Sequence, residues 1–489
     1  MLKDIKNTIK QSAVYGLSRI STKLIAFILL PLLTLNFSVQ EYGVYVLTES
    51  LWQILWAIFL FGFESGVVRW YLEITDEFKR KRFLFSVAAF LLLFNSLLFI
   101  AIYLLSPQLS GLVYENTGLS KFVVYAAMIA AVESFSFIIF LLLRIEEKAK
   151  LYSALAVLST LISLLLQIYF LQYTLIKLEG VFIAKIAAPA LIIFVLLPYF
   201  IRHIKFGFER TLLTDLLKYS FPVMIASLVI TLLNQVDRYI LGYFSGLKDV
   251  GIYGLAYNIS GLVNFLVVSP FSLAFTVISW KKLKDENAKR FYTKTITYLF
   301  LGVTYISLMI ALFTPHLIKV FAMKTDYWLA AQYVPWIILA MPFYGIHFVG
   351  VFSFYVTKKT KYVFISYFIA LVVNVICNFI FIPMFGIYGA SFVNLGSFFV
   401  LCLVIYHFSK KNYFFKYEWY KIFLMLFVYA ALAAPFFYFT FENRLLEIAL
   451  KFLAVISYPF ILYMFNFYEP IEIKSFRGFI NKYLFRIKV

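Results

Sequence analysis

Two cations in the first apolar segment of the chain have the type and spacing to bind an anion. Arg19 and Lys23 lie four residues apart, so on a helix they share one face. A cation at the middle of a membrane-spanning helix costs about 2.5 to 3.5 kcal/mol on insertion scales, and it usually marks a functional site. Phosphate suits such a pair, because arginine forms forked hydrogen bonds to it. The alternative is that both side chains snorkel to the cytoplasmic interface.

Three further cations lie in or beside apolar segments. Arg238 falls toward the outer end of the predicted seventh helix, Arg69 at the cytoplasmic end of the second, and Lys185 about one turn into the sixth. Each can either bind an anionic group or sit at the interface as an ordinary anchor. Adjacent residues on a helix do not face each other, so we expect Asp237, next to Arg238, to pair with a different helix.

Four acids in apolar segments are candidates for ion coupling or for structural pairing with a buried cation: Glu133, Asp237, Glu49 and Glu64. Glu133 is the most central, and a carboxylate inside the membrane can take up and release a proton during a transport cycle. A set of amide side chains can either bind sugar hydroxyls or hold helices together: Gln53, Asn95, Gln167, Asn258, Asn264, Asn374 and Asn378.

The remaining reactive residues do not form a catalytic or metal-binding pattern. The four histidines are scattered along the chain, and the two cysteines, Cys377 and Cys402, lie in apolar surroundings without a metal-ligand spacing. The external connections are short and lack the acidic or histidine groups that acid/base chemistry needs. We therefore predict no catalytic residue, no metal and no cofactor, and a protein that is not an enzyme.

The composition determines the class of protein. Of 489 residues, 63% are hydrophobic and only 14% are charged, with a mean hydropathy of +0.90. Soluble domains have about a quarter of their residues charged, so the chain is predicted to be an all-α polytopic membrane protein. The net charge of +20 does not indicate nucleic acid, because the cations form short clusters between apolar runs.

About fourteen apolar segments are long enough to cross a membrane, from 13–34 to 445–466. If the amino terminus is cytoplasmic, about 32 of the 44 Lys and Arg residues lie in cytoplasmic segments and about seven lie outside. This asymmetry predicts that both termini are cytoplasmic. The first segment is longer than a signal-peptide core, so we expect it to remain in the mature protein.

A repeat divides the chain into halves. The pattern Phe-Ser followed by acid-x-Gly-aliphatic-Tyr occurs at 37–45 and again at 244–253, about 208 residues later. Six helices per half predict two parallel repeats that form two lobes around a central cavity. The predicted domains are an N-terminal six-helix lobe (1–208), a C-terminal six-helix lobe (209–408), and helices 13 and 14 with a basic cytoplasmic tail (409–489).

The order of several motifs resembles a known family. These motifs are Gly16-x-x-Arg19, Pro31, Glu41-Tyr42-Gly43-Val44-Tyr45, Gly62 to Arg69-Trp70-Tyr71, Lys218-Tyr219-Ser220-Phe221-Pro222, Asp237-Arg238-Tyr239-Ile240-Leu241 and Val250-Gly251-Ile252-Tyr253. Over nearly the whole chain, their order and spacing resemble the polysaccharide and O-antigen flippases of the multidrug/oligosaccharidyl-lipid/polysaccharide (MOP) superfamily. The resemblance implies a carrier of the bacterial inner membrane. Such a carrier moves a lipid-diphosphate-linked oligosaccharide, for O-antigen, capsule or exopolysaccharide, from the cytoplasmic to the outer leaflet by alternating access.

The resemblance implies a substrate and gives the buried cations a role. The expected partners are an undecaprenyl-diphosphate-linked oligosaccharide, membrane lipids and a proton or sodium counter-ion, with no nucleic acid. Arg19, Lys23, Arg238 and Arg69 are the candidates for holding the diphosphate. One alternative is a cation-coupled multidrug exporter of the same superfamily, which would have a cavity dominated by acids. Another is a membrane-bound glycan polymerase or ligase, which the missing external domain disfavours.

Overall fold

The computed structural model describes residues 27–439, 443–470 and 473–474, and over these residues the fold is all-helical. Short 3₁₀ segments lie at Thr117–Leu119 and Thr325–Gln332, and a π-helical turn lies at Asn264–Val268. The α-helices are α1 (Phe27–Asn36), α2 (Val39–Phe59), α3 (Phe63–Glu73), α4 (Glu77–Leu104), α5 (Ser106–Tyr114), α6 (Ser120–Ile145), α7 (Ala149–Tyr173), α8 (Lys177–Arg202), α9 (Arg210–Ser260), α10 (Ser269–Lys282), α11 (Ala288–Phe321), α12 (Val334–Ile338), α13 (Met341–Val356), α14 (Lys361–Phe385), α15 (Ile387–Ser409), α16 (Trp419–Ala433), α17 (Pro435–Tyr438) and α18 (Arg444–Met464).

Twelve helical stretches among the described residues are long and apolar enough to cross a membrane. The longest, Arg210–Thr276, has 67 residues, which would span about 100 Å if straight, roughly three times the hydrocarbon core. It is not straight, because Gly246 breaks α9 with φ 79° and ψ 175°. The prediction of an all-α, multi-pass membrane fold is confirmed. The count of fourteen helices stays a prediction, since α1 begins at the edge of the described residues.

The second of the predicted apolar segments, which covers residues 43–70, is not one helix. α2 ends at Phe59 and α3 begins at Phe63, with Phe61 (φ 53°) and Gly62 (φ 67°) in the left-handed region between them. A Cβ added to Gly62 would lie 2.5 Å from the carbonyl oxygen of Ser220 on α9. Glycine is therefore required here both for the backbone conformation and for the close approach of α9.

The helices pack into two lobes and a C-terminal group of three helices. We call α1–α8 the N lobe, α9–α15 the C lobe, and α16–α18 the C-terminal helices. In the N lobe α6 packs against α2, α4 and α8, and α8 packs against α7; in the C lobe α14 packs against α9 and α15, and α13 against α11 and α15. The C-terminal helices α16 and α18 pack against each other and against α11, so they are attached to the C lobe.

The two lobes meet where the repeated hairpin packs against its own copy. Ser38 and Glu41 form a capping box that fixes the start of α2. A Cβ added to Gly43 would lie 2.0 Å from the carbonyl oxygen of Leu247, and one added to Gly251 would lie 2.2 Å from that of Val39. Only glycine lets the backbones of α2 and α9 approach this closely.

Candidate functional site

A cavity of about 280 Å³ lies inside the N lobe, with one wall from α9 of the C lobe. Its apolar side is formed by Phe27, Leu29, Leu30 and Leu33 of α1 together with Leu164. Its polar side is formed by Tyr42 and Tyr45 of α2, Thr160, Ser163 and Gln167 of α7, Lys185 of α8 and Asn258 of α9. Among the described residues, Lys185 is the one charged side chain that lines this cavity.

Lys185 is held in place by a carboxylate and two aromatic rings. Its Nζ lies 2.6 Å from Oε1 of Glu49, and it sits 5.5 Å from the ring centroid of Tyr45 and 5.4 Å from that of Trp52. The side chains of Lys185 and Glu49 are 19% and 18% exposed, so the pair is partly open to the cavity. Cation–π contacts at these distances position the ammonium group without occupying all three of its N–H donors, so it can still donate a hydrogen bond to a ligand.

A second carboxylate completes the cluster. Glu133 of α6 lies within electrostatic range of both Lys185 and Glu49. Three helices, α2, α6 and α8, therefore bring two acids and one base together in the middle of the N lobe. Two carboxylates and one ammonium leave an excess negative charge, which is costly inside a membrane unless a proton or a cation balances it.

The polar wall also has unused hydrogen-bonding capacity. Gln167 donates to Ser163 at 2.9 Å, while its Oε1 is buried without a hydrogen-bond partner among the described residues. Asn258 donates to the Tyr42 hydroxyl at 3.0 Å, and the Tyr45 ring stacks on Phe182 with centroids 5.8 Å apart. Amides, hydroxyls and aromatic faces suit a hydroxylated ligand such as a sugar. An anionic group can use Lys185 once a proton or a cation neutralises one of the two carboxylates beside it.

Most of the other predicted amides hold helices together. Asn95 donates to Ser134 of α6 at 2.8 Å, Asn374 donates to Ser397 of α15 at 3.0 Å, and Asn378 donates to Asn374 at 2.8 Å. Asn264 accepts a hydrogen bond from Ser269 at 3.1 Å, and Gln53 accepts one from Gln235 across the lobe interface at 2.8 Å. Of the seven amides, only Gln167 and Asn258 line the cavity.

Arg238 is buried at the interface between the lobes and does not line the cavity. Its Nη1 donates to the carbonyl oxygen of Asn234 and to Oε1 of Gln235, both at 2.6 Å. Its guanidinium lies 4.2 Å from the ring centroid of Tyr257. Gln235 in turn accepts a hydrogen bond from Ser50 of α2 at 3.0 Å, so the arginine belongs to a network that joins α9 to α2.

The expectation that Asp237 pairs with a different helix is met only in part, because it contacts the adjacent Arg238 as well as Tyr253, which lies beyond the break in α9 at Gly246. Its Oδ1 lies 3.4 Å from Nη1 of the adjacent Arg238 and accepts that residue's backbone N–H at 2.9 Å. Its Oδ2 accepts a hydrogen bond from Tyr253 at 2.5 Å. The carboxylate therefore contacts a residue of its own helical turn. The break at Gly246 also lets the part of α9 that follows it, which contains Tyr253, pack against the part that precedes it.

The other predicted site residues lie apart from the cavity. Arg69 is largely exposed and pairs with Glu73 of its own helix at 3.0 Å. Glu64 was expected among the acids buried in apolar segments, but it is exposed, because a new helix, α3, starts at Phe63 and places Glu64 in its first turn. A carboxylate is favoured there by the helix dipole. Arg19 and Lys23 lie outside the described residues.

Little in the sequence singles out Lys185, the residue at the centre of the site. One ionisable residue per helix carries no spacing signal, so the sequence leaves Lys185 open to either an interface role or anion binding. The available signal was that Glu49, Glu133 and Lys185 fall in three different spans of one repeat. Residues on different helices can be brought together only by the packing of α2, α6 and α8.

Polar and charged side chains gathered around a cavity between apolar helices define a multi-pass membrane protein with a polar cavity inside one lobe. The chain matches the family profile described as "Polysaccharide biosynthesis protein" over residues 8–279 and the MatE profile over residues 222–380. The first match covers more than half of the chain, which therefore belongs to the polysaccharide biosynthesis protein family. No curated protein sequence matches the chain.

Solved structures share the fold at low sequence identity. The lipid II flippase MurJ, in an inward closed conformation, matches with a TM-score of 0.74 and 18% identity, covering 94% of this chain and 100% of its own. A multidrug resistance MATE family transporter in an inward-facing conformation matches with a TM-score of 0.65 and 15% identity, covering 83% and 95%. A MOP superfamily transporter from Pyrococcus furiosus matches with a TM-score of 0.59 and 16% identity, covering 82% and 95%.

Proposed function

We propose that this protein moves a lipid-diphosphate-linked oligosaccharide from the cytoplasmic to the outer leaflet of a bacterial inner membrane. The observation that carries the proposal is the cavity wall, where Lys185 is the charged group and Gln167, Asn258, Tyr42 and Tyr45 supply amides, hydroxyls and rings. A diphosphate needs a cation to enter a medium that excludes charge, and sugars need hydrogen-bonding and stacking partners. The fold shared with a lipid II flippase also supports a flippase activity.

In the proposed cycle the two lobes rock about their glycine contact, alternately opening the cavity to each side. The division into lobes at 1–208 and 209–408 is part of this proposal.

Arg19 and Lys23 precede α1, whose residues form the apolar side of the cavity, so they are proposed to receive the diphosphate with Lys185. Arg238 and Arg69 are proposed to act at the lobe interface and at the cytoplasmic end, respectively. Both termini are proposed to be cytoplasmic.

The cluster behind Lys185 is proposed to couple transport to an ion. Glu49 and Glu133 share one lysine, so the binding of a proton or a sodium ion to one carboxylate would change how firmly Lys185 is held. Asp237 is satisfied by Arg238 and Tyr253, which favours structural pairing for this acid. Imposing a pH gradient or a sodium gradient across proteoliposomes, separately, identifies the coupling ion.

The test is transbilayer movement of a fluorescent undecaprenyl-diphosphate oligosaccharide in proteoliposomes, followed with an impermeant quencher. Wild type is compared with Lys185→Gln, Arg19→Ala and Arg238→Ala. Lys121→Gln is the matched control, because Lys121 forms an ion pair with Glu179 in the same lobe but does not line the cavity. We expect Lys185→Gln and Arg19→Ala to lose movement and Lys121→Gln to retain it.

A multidrug exporter is the second candidate, because the MatE profile and the MATE fold matches are consistent with it and two acids lie behind Lys185. If wild type moves no lipid-linked glycan but expels cationic dyes, the exporter proposal replaces the flippase. If the purified protein instead extends a glycan chain, it is an enzyme of the polymerase or ligase class and both transport proposals fail.

A further inference from the structure

A second cavity, of about 610 Å³, lies at the start of α16 and is separate from the cavity lined by Lys185, which we call the transport cavity. It is lined by Arg290 and Lys294 of α11, by the segment 416–421, and by Glu469. The two cavities share no lining residue. We refer to this second cavity, with its lining residues, as the basic pocket.

The basic pocket holds more positive than negative charge. Four cations line it, namely Arg290, Lys294, Lys416 and Lys421, against two carboxylates, Glu418 and Glu469. Lys294 bridges both carboxylates, with Nζ 2.9 Å from Glu418 and 2.6 Å from Glu469. Hydrogen bonds from Lys294 and Arg290 hold the pKa of Glu469 below its usual range. Burial raises the pKa of Glu418, but hydrogen bonds from Thr297 and Lys294 outweigh it and leave this pKa lowered too.

Three of the four cations have donors to spare. Lys416 is exposed and makes no ion pair within the part of the chain that the structure describes. Arg290 uses Nη2 on Glu469 at 2.7 Å but is 64% exposed and has five N–H donors in all. Lys421 lies only loosely against Glu418, at 3.4 Å. These donors converge on an open pocket with a net charge of two, which suits a phosphate.

An apolar groove of about 550 Å³ adjoins the basic pocket along α16. Trp419 lines the basic pocket, and its ring lies 6.4 Å from Phe399 and 6.1 Å from Phe423, both of which line the groove. The groove then follows one face of the C-terminal helices at spacings of three and four residues, through Leu426, Ala430, Ala433 and Phe437. From Phe423 to Phe437 this is about 21 Å of helix, longer than one leaflet of the hydrocarbon core, about 15 Å.

We propose that the basic pocket and the apolar groove together bind an anionic phospholipid of the cytoplasmic leaflet. The phosphate is held by Arg290, Lys416 and Lys421, and one acyl chain lies in the groove. Basic pockets between membrane helices at the cytoplasmic side bind phospholipid headgroups in this manner, and Trp419 and Tyr420 lie where interfacial aromatics are expected. The bound lipid joins α11 to α16 and so fixes the C-terminal helices on the C lobe.

The occupant is a phospholipid and neither a free phosphate nor the transported substrate. A free phosphate has no use for the groove, whereas a lipid uses both parts. The transported substrate must reach the transport cavity, which shares no wall with the groove. The site therefore stands or falls independently of the proposed flippase activity.

The test uses the delipidated full-length protein in detergent, with native mass spectrometry for retained lipid and thermal unfolding for stabilisation. Phosphatidylglycerol, cardiolipin, phosphatidylcholine, inorganic phosphate and undecaprenyl diphosphate are added separately. We expect phosphatidylglycerol and cardiolipin to be retained and to raise the melting temperature. The double variant Arg290→Gln/Lys416→Gln is expected to lower retention at least about fivefold, while the matched variant Lys359→Gln/Lys411→Gln, which removes two exposed cytoplasmic lysines outside the pocket, leaves it unchanged.

A second variant tests the groove without touching the charges. Gly396 lines the groove, and a Cβ added there meets no atom within 4 Å, so Gly396→Leu fills the groove without strain at that atom. We expect it to lower phospholipid retention as well. Equal retention of phosphatidylcholine, equal stabilisation by inorganic phosphate with no effect of Gly396→Leu, or retention of undecaprenyl diphosphate in place of phospholipid would each overturn the proposal.

Discussion

The two lobes are alike where they touch and different inside. Gly43 and Gly251 occupy the same place in the two copies of the repeated hairpin, 208 residues apart, and each packs against the backbone of the other copy. Inside the lobes, the position of Lys185 corresponds to Asn394, 209 residues later, and the position of Glu49 corresponds to Tyr257. The duplication thus preserved the backbone packing, while the charged cluster is a property of the N lobe. We therefore expect substrate binding and ion coupling to depend mainly on the N lobe.

The largest difference between the lobes is expected at the equivalent positions Lys185 and Asn394. Lys185→Met leaves Glu49 and Glu133 without their shared cation, and we expect transport to fall at least about tenfold. Stability should fall by about 1–3 kcal/mol, less than the 3–5 kcal/mol typical of fully buried pairs, because this pair is partly exposed. Proteoliposome transport and thermal unfolding measure the two effects.

Asn394→Leu should act in the opposite direction. Asn394 is buried, and neither amide atom has a hydrogen-bond partner among the described residues. Replacing an unpaired buried amide with an apolar group should stabilise the protein by about 1 kcal/mol. A large transport loss for Asn394→Leu, equal to that of Lys185→Met, would show that both lobes carry the chemistry.

The shared glycine contact gives the next largest effect. A methyl group on Gly43 would lie 2.0 Å from the Leu247 carbonyl oxygen, so Gly43→Ala must push α2 and α9 apart. We expect a loss of about 1–3 kcal/mol in thermal unfolding, with a similar loss for Gly251→Ala. Gly302→Ala is the control, since its Cβ would meet Val267 only at 4.0 Å. A neutral Gly43→Ala would argue against a tight contact between the repeats.

Two equivalent tyrosines should differ in their contribution to stability. Tyr253 donates to the buried carboxylate of Asp237, so Tyr253→Phe should cost about 1–3 kcal/mol of unfolding free energy. Tyr45, its counterpart 208 residues earlier, makes no side-chain hydrogen bond to a described residue, and its ring stacks on Phe182. Tyr45→Phe should therefore change stability by less than about 0.5 kcal/mol. Equal effects in thermal unfolding would contradict this assignment.

The smallest effect is a pH dependence at the turn between α6 and α7 of the N lobe. Burial raises the pKa of Glu146, but hydrogen bonds from Lys148 and Tyr199, together with His203, outweigh it and lower the pKa. A lowered folded-state pKa contributes stability above the unfolded value of about 4.3, and that contribution is lost as pH falls through the folded value. Glu146→Gln should therefore flatten the fall in melting temperature below about pH 4.3. An unchanged acid profile would remove Glu146 from the pairs that stabilise the lobe.

Much of the architecture could be predicted from local patterns. Hydropathy predicted the apolar helices, and the hairpin repeat predicted two halves that share a plan. The break at Phe61–Gly62 was missed, because a single glycine within an apolar run does not by itself end a helix. The exposure of Glu64 follows from that break, so it was missed for the same reason.

The sequence by itself determined the all-helical, membrane-spanning character of the protein, because burying a backbone in lipid requires long apolar helices whatever their partners. The sequence repeat also identified Gly43 and Gly251 as equivalent residues in the two copies of the hairpin. Only the tertiary structure decided that Lys185, Glu49 and Glu133 meet, that Asp237 turns back to Arg238 and Tyr253, and that Gly43 faces Gly251. Contacts between side chains on different helices depend on helix rotation and crossing, which a hydrophobic pattern does not encode when every face of the helix is apolar.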